Sequence, residues 1–325
     1  MKRLLPWIVA VWCLFFGAQA QAASFDCAKA DAKVEKLVCA DEKLSKLDEE
    51  LQSVYQDAYK HTADPAGLKM EQRQWLKTRE ACKDVACVTD AYRTRLAALK
   101  ATLAEPKPCF RLLERKWPEV ASGHYPVCVD FLKNLNTFCG NPPICEWKVN
   151  PSIKTLALPQ WEEINPKAHL KIIQNMLQRY YSDPESKWIP IPPDMMQRIN
   201  EGTTRMWHAW VDPDRDGLNK HVVRFDDLPC DGKRNAYFFG LPTYMAVVDA
   251  DITKVDSRYE YFNHIFGIVL HDGQTYAING GPSYNDVPGS GAVGTGDSLN
   301  LQEPFSARGG LSKGMDSVCV FEYLK

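Results

Sequence analysis

The sequence has no block of basic residues and no apolar run long enough to cross a bilayer. Its 39 Lys and Arg residues are balanced by 41 Asp and Glu residues, which gives a formal net charge of −2 at pH 7. A membrane-spanning helix needs about 20 consecutive apolar residues, and the apolar run from Leu4 to Gly17 is shorter. The composition therefore excludes nucleic acid as an expected partner, and we expect no membrane span in the mature chain.

The sequence also lacks the usual hydrolase signatures. It contains no G-x-S-x-G and no H-E-x-x-H motif. His208 lies between two tryptophans, a pattern more typical of a packed strand than of a substrate platform. Three nearby carboxylates, Asp249, Asp251 and Asp256, are more typical of a solvated edge than of a catalytic pair. We therefore predict that the protein is not an enzyme, and an undetected hydrolase is the least favoured alternative.

The first 23 residues have the features of a secretory signal peptide. A basic start precedes the apolar run, and small residues spaced as in an A-x-A cleavage site follow it: Ala18, Ala20, Ala22 and Ala23. Neither Cys13 nor Cys27 follows the small-residue motif that lipid attachment requires. We interpret residues 1–23 as a signal peptide and predict a periplasmic or secreted protein.

The cysteines agree with export. Of the 11 cysteines, Cys13 lies in the leader, and the even number that remains is typical of disulfides in an oxidising compartment. A zinc site is less favoured because no pair of C-x-x-C motifs is present. The predicted disulfide cysteines are Cys27, Cys39, Cys82, Cys87, Cys109, Cys128, Cys139, Cys145, Cys230 and Cys319.

The spacing of these cysteines leaves the pairing open. Cys82 and Cys87 are expected to be oxidised, either together or with Cys27 and Cys39. The next four cysteines allow two bridges in the middle of the chain. Cys230 and Cys319 then remain, and we expect a bridge between them that ties the final strand to the body.

Residues 24–104 have few helix breakers and a strong helical period. Asp41 is the expected N-cap of a helix, because its carboxylate can accept hydrogen bonds from the amides of the first turn. The helix presents one apolar stripe at spacings of three and four, formed by Leu44, Leu47, Leu51, Val54, Tyr55 and Ala58. TADPAG at residues 62–67 ends this helix, and the short connection predicts antiparallel packing with the helices that follow.

A series of residues in this region falls in the order typical of one family: Cys27, Glu35, Cys39, Leu47, Asp48, Tyr55, Gln72, Trp75, Arg79, Cys82, Cys87, Tyr92 and Arg95. In these positions the segment resembles the N-terminal domain of the lysozyme inhibitor LprI family, over about a quarter of the chain. The resemblance implies that most of the positions are architectural. The aromatic residues would fill a helical seam, and Arg79 or Arg95 would pair with Glu35 or Asp48.

The resemblance also implies a partner, namely lysozyme or another peptidoglycan hydrolase. A lysozyme inhibitor must occlude a cleft that contains two carboxylates. Two loops are available for this, TADPAG and the stapled CKDVAC, and we predict that Lys83 and Asp84 at the stapled tip bind the partner. The alternative is a generic helical interaction module within an envelope protein, for instance an immunity partner of a secreted toxin.

The rest of the chain changes in character twice. Residues 105–200 are rich in proline and cysteine and carry helical stripes, which predicts a mixed helical middle region. Residues 201–325 alternate apolar and polar positions, with Asp272-Gly273 as a hairpin turn. The sequence therefore predicts an α+β protein with a disulfide-stapled helical hairpin, a helical middle region and a mainly antiparallel β domain.

One acidic turn has the composition of a metal site. Asp212, Asp214 and Asp216 alternate before Gly217, and carboxylates that converge on a tight turn suit calcium. The carbonyl of Leu218 and the carboxylate of Asp226 or Asp227 would have to complete the shell. The alternative is an ordinary solvated turn, so calcium is the candidate cofactor and we expect no other.

Overall fold

The computed structural model describes residues 23–113, 126–139, 148–180, 190–226, 243–259, 267–281, 298–302 and 317–324. Cys145, Cys230, Asp227 and the predicted leader up to residue 22 lie outside the described residues. Within them the chain divides into two compact units. The helical unit holds residues 23–62 and 68–106, and the sandwich unit holds residues 63–67 and 107–324. No described helix is long and apolar enough to cross a membrane.

The helical unit begins with a single 3-10 turn, Cys27–Lys29, and continues with four helices: α1 Lys33–Ala40, α2 Glu42–His61, α3 Pro65–Glu80 and α4 Val85–Ala104. The predicted N-cap is confirmed, because Asp41 Oδ1 accepts hydrogen bonds from the backbone N–H of Lys43 and Leu44. The core contains Val34, Val38, Leu44, Leu51, Ala58, Leu68, Val88, Tyr92, Leu96 and Leu99. The α1 helix adds an element to the predicted hairpin.

Ala23 is the first described residue, and the end of the leader at residue 23 stays a prediction. Ala23 was assigned to the signal peptide, but it is only 7% exposed and lies in the core of the helical unit. The first described residues therefore belong to the fold.

The sandwich unit contains β1 Phe110–Leu112, α5 Pro126–Thr137, β2 Leu156–Ala157, β3 Glu162–Ile164, α6 Leu170–Tyr180, α7 Pro193–Glu201, β4 Arg205–Val211, β5 Lys220–Asp226, β6 Thr243–Val248, β7 Gly267–His271, β8 Gln274–Gly281, β9 Ser298–Gln302 and β10 Ser317–Tyr323. These strands form a six-stranded sheet in the order β1-β10-β9-β8-β7-β2 and a four-stranded sheet in the order β3-β4-β5-β6. Every neighbouring pair is antiparallel.

The two sheets are packed in layers. The α5 helix covers the outer face of the six-stranded sheet, and α6 with α7 covers the outer face of the four-stranded sheet. The inner faces meet in a separate cluster that includes Val222 and Val247 of one sheet and Ile268 and Ala277 of the other. Because β1 and β2 pair with C-terminal strands, the predicted middle region 105–200 does not form a unit of its own.

The predicted hairpin turn at Asp272-Gly273 joins β7 to β8. Its φ angles are 48° at Asp272 and 79° at Gly273. Two consecutive positive φ angles define the type I′ turn, whose twist matches that of the flanking strands, and glycine adopts this conformation at no steric cost.

Four disulfides are present among the described residues: Cys27–Cys39, Cys82–Cys87, Cys109–Cys139 and Cys128–Cys319. The expected bridge from Cys319 to Cys230 is wrong, and the four middle cysteines do not pair only among themselves. The reason is that α5 lies across the six-stranded sheet, which brings Cys128 beside β10. Proximity in sequence was therefore a poor guide to pairing.

Candidate functional site

The stapled tip, residues 82–87, is the exposed corner between α3 and α4. Its disulfide joins Cys82, which is buried, to Cys87, which is exposed. Lys83 and Asp84 are both exposed, as predicted, and Val85 between them and Cys87 is 38% exposed. Asp84 also has a structural role, because its carboxylate accepts a hydrogen bond from Cys87 N at 2.9 Å and caps α4. Lys83 and Val85 therefore remain available to a partner, beside the small side chain of Ala86.

A buried polar network lies beneath the helices that carry the tip. The Tyr92 hydroxyl donates to Asp48 Oδ1 at 2.6 Å and accepts from Arg79 NH1 at 3.0 Å. Burial raises the pKa of Tyr92 well above its ordinary value, so the hydroxyl stays protonated and keeps donating. Trp75 packs edge-on against Tyr92 with ring centroids 5.3 Å apart, and its Nε1 donates to Ala91 O. These contacts fix α3 against α4.

The expected ion pairs of this region are partly realised. Arg79 NH1 lies 4.0 Å from Asp48 Oδ1, which agrees with one of the predicted pairs. Arg95 instead donates to Glu71 and Gln72 on α3. Glu35 accepts from the backbone N–H groups that precede α1, so it caps its own helix.

The acidic turn between β4 and β5 brings its three carboxylates together. Oxygens of Asp212, Asp214 and Asp216 all lie within 4.8 Å of one another. Gly217 has φ of 84°, as the tight turn requires. Asp212 accepts from the backbone N–H groups of Asp216 and Gly217. The three carboxylates therefore converge as predicted, and the carboxylate of Asp212 already accepts hydrogen bonds from the backbone of the turn.

Lys220 supplies a positive charge to this turn, which the pattern of aspartates alone does not indicate. Its ammonium lies 2.7 Å from Asp216 Oδ1 and 3.2 Å from Asp214 Oδ1, and it also donates to the carbonyl of Leu218. The hydrogen bond with Lys220 lowers the pKa of Asp216. Any cation that binds here has to compete with Lys220.

Tyr259 contacts the acidic turn, and Asp226 does not. The Tyr259 hydroxyl donates to Asp214 Oδ2 at 2.8 Å, and burial together with this bond raises the pKa of Tyr259 to about 12. Asp226, proposed to complete a calcium shell, lies at the far end of β5 and is paired with Arg224 at 2.6 Å. It is therefore not a ligand of this turn.

A histidine pair, His208 and His221, lies on the face of the four-stranded sheet that α6 and α7 cover. His208 Nδ1 is 2.9 Å from His221 Nε2, and His221 Nδ1 is 3.1 Å from the carbonyl oxygen of Asp249. On the other side, His208 Nε2 is 3.5 Å from Glu162. Trp210, which is 53% exposed, stacks on His221 with ring centroids 4.5 Å apart.

The position of the acidic turn in the sequence is enough to predict this pair. An antiparallel hairpin around the acidic turn places Trp210 opposite His221 and His208 opposite Val223, so both histidines point to the same face. Burial lowers the pKa of His221, and the neighbouring His208 lowers it further. His208 is thus a partner of His221 rather than part of an aromatic substrate platform.

The second polar pair of the sandwich unit has no comparable signal. His271 Nε2 lies 3.1 Å from Asp130 Oδ2, and Thr155 Oγ1 donates to the same oxygen at 2.7 Å. Asp130 is on α5 and His271 ends β7, 141 positions apart. The fold alone brings them together.

The carboxylates considered for catalysis have local roles instead. Asp249 caps a turn by accepting hydrogen bonds from Thr253 and Lys254. Asp256 pairs with Arg258 at 2.6 Å, and Asp251 is exposed. Among the described residues, these three carboxylates do not form a cluster of the kind seen at the acidic turn.

Comparison with known proteins assigns only the N-terminal part. Residues 26–105 match the family model described as Lysozyme inhibitor LprI. The chain is 39% identical over 87 residues to the protein named Lipoprotein LprI from Mycobacterium bovis and from two strains of Mycobacterium tuberculosis. This match covers 26% of the chain and 43% of the length of these relatives. No solved structure matches the chain. The N-terminal segment is thus lysozyme-inhibitor-like.

Proposed function

We propose that the lysozyme-inhibitor-like segment acts in an exported protein, where it binds a peptidoglycan hydrolase of the lysozyme type and blocks its cleft. The observation that carries the proposal is the similarity of residues 26–105 to LprI, in a segment that folds as a helical unit with a rigid, exposed tip. The protein contributes binding rather than catalysis.

The exposed side chains of the stapled tip complement the charge of such a cleft. Lysozyme-type glycosidases use a pair of carboxylates that flank the scissile bond. The exposed ammonium of Lys83 suits these carboxylates, and Val85 adds an apolar contact beside it. Because the disulfide and the Asp84 cap already fix the loop, little conformational entropy is lost on binding.

The test is inhibition of peptidoglycan hydrolysis by the purified mature protein, measured against a panel of lysozymes. We expect the unaltered protein to inhibit at least one of them, and Lys83→Ala to weaken inhibition about tenfold or more, as loss of a hydrogen-bonded charge pair worth about 1.5–3 kcal/mol would do. Lys36→Ala is the matched control, because Lys36 is an exposed lysine on α1, outside the tip.

The outcomes separate the alternatives. Absence of inhibition across the panel would contradict the proposal and favour an envelope interaction module whose specific work lies in the sandwich unit. Inhibition that Lys83→Ala leaves unchanged would place the contact elsewhere on the chain. Release of soluble fragments from peptidoglycan by the protein alone would identify a hydrolase.

A further inference from the structure

Ala23 and Ser24 are built into the helical unit. Ala23 is 7% exposed and packs in the core. Ser24 is attached to α2 by two hydrogen bonds to a single oxygen, since its backbone N–H donates to Asp48 Oδ2 at 2.8 Å and its Oγ donates to the same atom at 2.6 Å. The beginning of the helical unit is therefore held in place by specific contacts.

Asp48 depends on these contacts. It is only 4% exposed, and a buried carboxylate is costly unless hydrogen-bond donors surround it. Its Oδ1 is satisfied by the Tyr92 hydroxyl at 2.6 Å, with Arg79 NH1 at 4.0 Å. Two donors reach Oδ2, and both belong to Ser24. Ser24 thus supplies one side of the shell around a buried charge.

The sequence just before this anchor fits a processing site at two positions, and both of them leave Ala23 and Ser24 on the mature chain. A leader-cleaving protease prefers small residues at the first and third positions before the cut. A cut between Ala22 and Ala23 places Ala22 and Ala20 at these positions, and a cut between Ala20 and Gln21 places Ala20 and Ala18 there. A cut after Ala23 would place Gln21 at the third position and would also remove a core residue.

We propose that the leader is cut after Ala20 or after Ala22, so that the exported chain retains Ala23 and Ser24, and that these two residues form a structural anchor in which Ser24 completes the shell of Asp48. A leader-cleaving protease hydrolyses the peptide bond after the last alanine of the leader with one water molecule, which leaves a carboxylate on that alanine and an ammonium group on the residue that follows it. The Ser24 amide stays a peptide N–H, so both donors to Asp48 are retained in the mature protein.

The first experiment locates the cut. The full-length chain is expressed with export, and the mature protein is analysed by intact mass and N-terminal sequencing. We expect a mature chain that begins at Gln21 or at Ala23. A mature chain that begins at Ser24 or further along would overturn the proposed site, as would a leader that is retained.

The second experiment tests the anchor separately from the cut. Ser24→Ala in the full-length exported chain removes the Oγ donor, and we expect it to lower the unfolding temperature of the helical unit by about 5 °C, in the range that loss of one hydrogen bond gives in a domain of this size. Ser53→Ala is the matched control, because Ser53 is exposed on α2, and it should have no effect.

A double-mutant cycle decides whether the effect acts through Asp48. In an Asp48→Asn background, Ser24→Ala should lower the unfolding temperature by less than half of the decrease that it causes in the unaltered protein. Equal unfolding temperatures for Ser24→Ala and Ser53→Ala, or full additivity with Asp48→Asn, would show that Ser24 is not an anchor. These measurements do not depend on the hydrolase target, so the two proposals can fail independently.

Discussion

The disulfides that stabilise the helical unit join residues close together in sequence, whereas those that stabilise the sandwich unit join residues farther apart in sequence. The disulfides of the helical unit join residues 12 and 5 positions apart, whereas those of the sandwich unit join residues 30 and 191 positions apart. The sandwich unit also closes its larger sheet by pairing β1 and β2 with C-terminal strands. Local sequence therefore specifies the helical unit, and long-range contacts specify the sandwich unit.

The largest expected effect on stability comes from removing one disulfide from each unit. In the chain-entropy description, stabilisation by a disulfide grows with the length of the loop it closes. Replacing Cys128 and Cys319 by Ala should cost about 5 kcal/mol, and replacing Cys82 and Cys87 by Ala about 2 kcal/mol. Urea midpoints of the two unfolding transitions measure both effects.

Equal losses of stability from the two pairs of substitutions would contradict this difference between the units. That result would mean that loop length does not govern the contribution of the bridges, and that packing around each sulfur does. Mass spectrometry of each variant without reduction serves as the control, since the remaining bridges should be intact.

A second, smaller effect concerns the polar network of the helical unit. Tyr92→Phe removes the hydroxyl that links Asp48 to Arg79 and leaves both buried groups short of a partner, which should cost about 1–3 kcal/mol. The change should lower the unfolding midpoint of the helical unit and leave that of the sandwich unit unchanged. An unchanged helical midpoint would mean that water replaces the hydroxyl.

The same contrast explains how much of the fold could be predicted from sequence. The stripe on α2 and the Asp41 cap follow from residues a few positions apart, and both were correct. The Asp272-Gly273 turn was correct for the same reason. The partner of Cys319 and the pairing of β1 and β2 depend on residues far apart in sequence, and no local pattern encodes them.

The candidate sites follow the same rule. The exposed Lys83 and the convergence of the acidic turn were predictable because each lies within one loop. The Asp130–His271 contact joins α5 to β7 across the fold, and only the packed structure reveals it. The role of Lys220 was within reach of local reasoning, because it follows Asp216 by four residues at the start of β5.

A third test uses pH to separate the units. Burial lowers the pKa of His221 in the folded state, whereas an unfolded histidine titrates near about 6.5. As the pH falls below that value, the unfolded chain binds the proton first, so the stability of the sandwich unit should fall until the folded pKa is passed, with a slope of at most about 1.4 kcal/mol per pH unit.

The measurement is the urea midpoint of the sandwich unit at pH 7.5 and at pH 5.5. His221→Gln removes the titrating group, so the variant should lose part of the pH dependence. The groups that face His221 are His208, Trp210 and the carbonyl of Asp249. Identical pH dependence in both proteins would exclude His221 as its source.

The smallest expected effect is the response of the acidic turn to calcium, which remains a prediction. Lys220 pairs with both Asp214 and Asp216, and Asp212 is engaged by backbone N–H groups. Calcium must therefore displace the ammonium, and binding should be weak in the unaltered protein. At a calcium concentration equal to Kd the stabilisation is about 0.4 kcal/mol.

Lys220→Gln should strengthen this response, because it removes the competing cation and leaves three carboxylates that repel one another. The difference in melting temperature between calcium and chelator should be larger in Lys220→Gln than in the unaltered protein, and Asp214→Ala combined with Lys220→Gln should abolish it. Magnesium is the control, since its demand for short octahedral bonds disfavours a turn of this shape. If Lys220→Gln melts identically with calcium and with chelator, the three aspartates shape the turn and bind no metal.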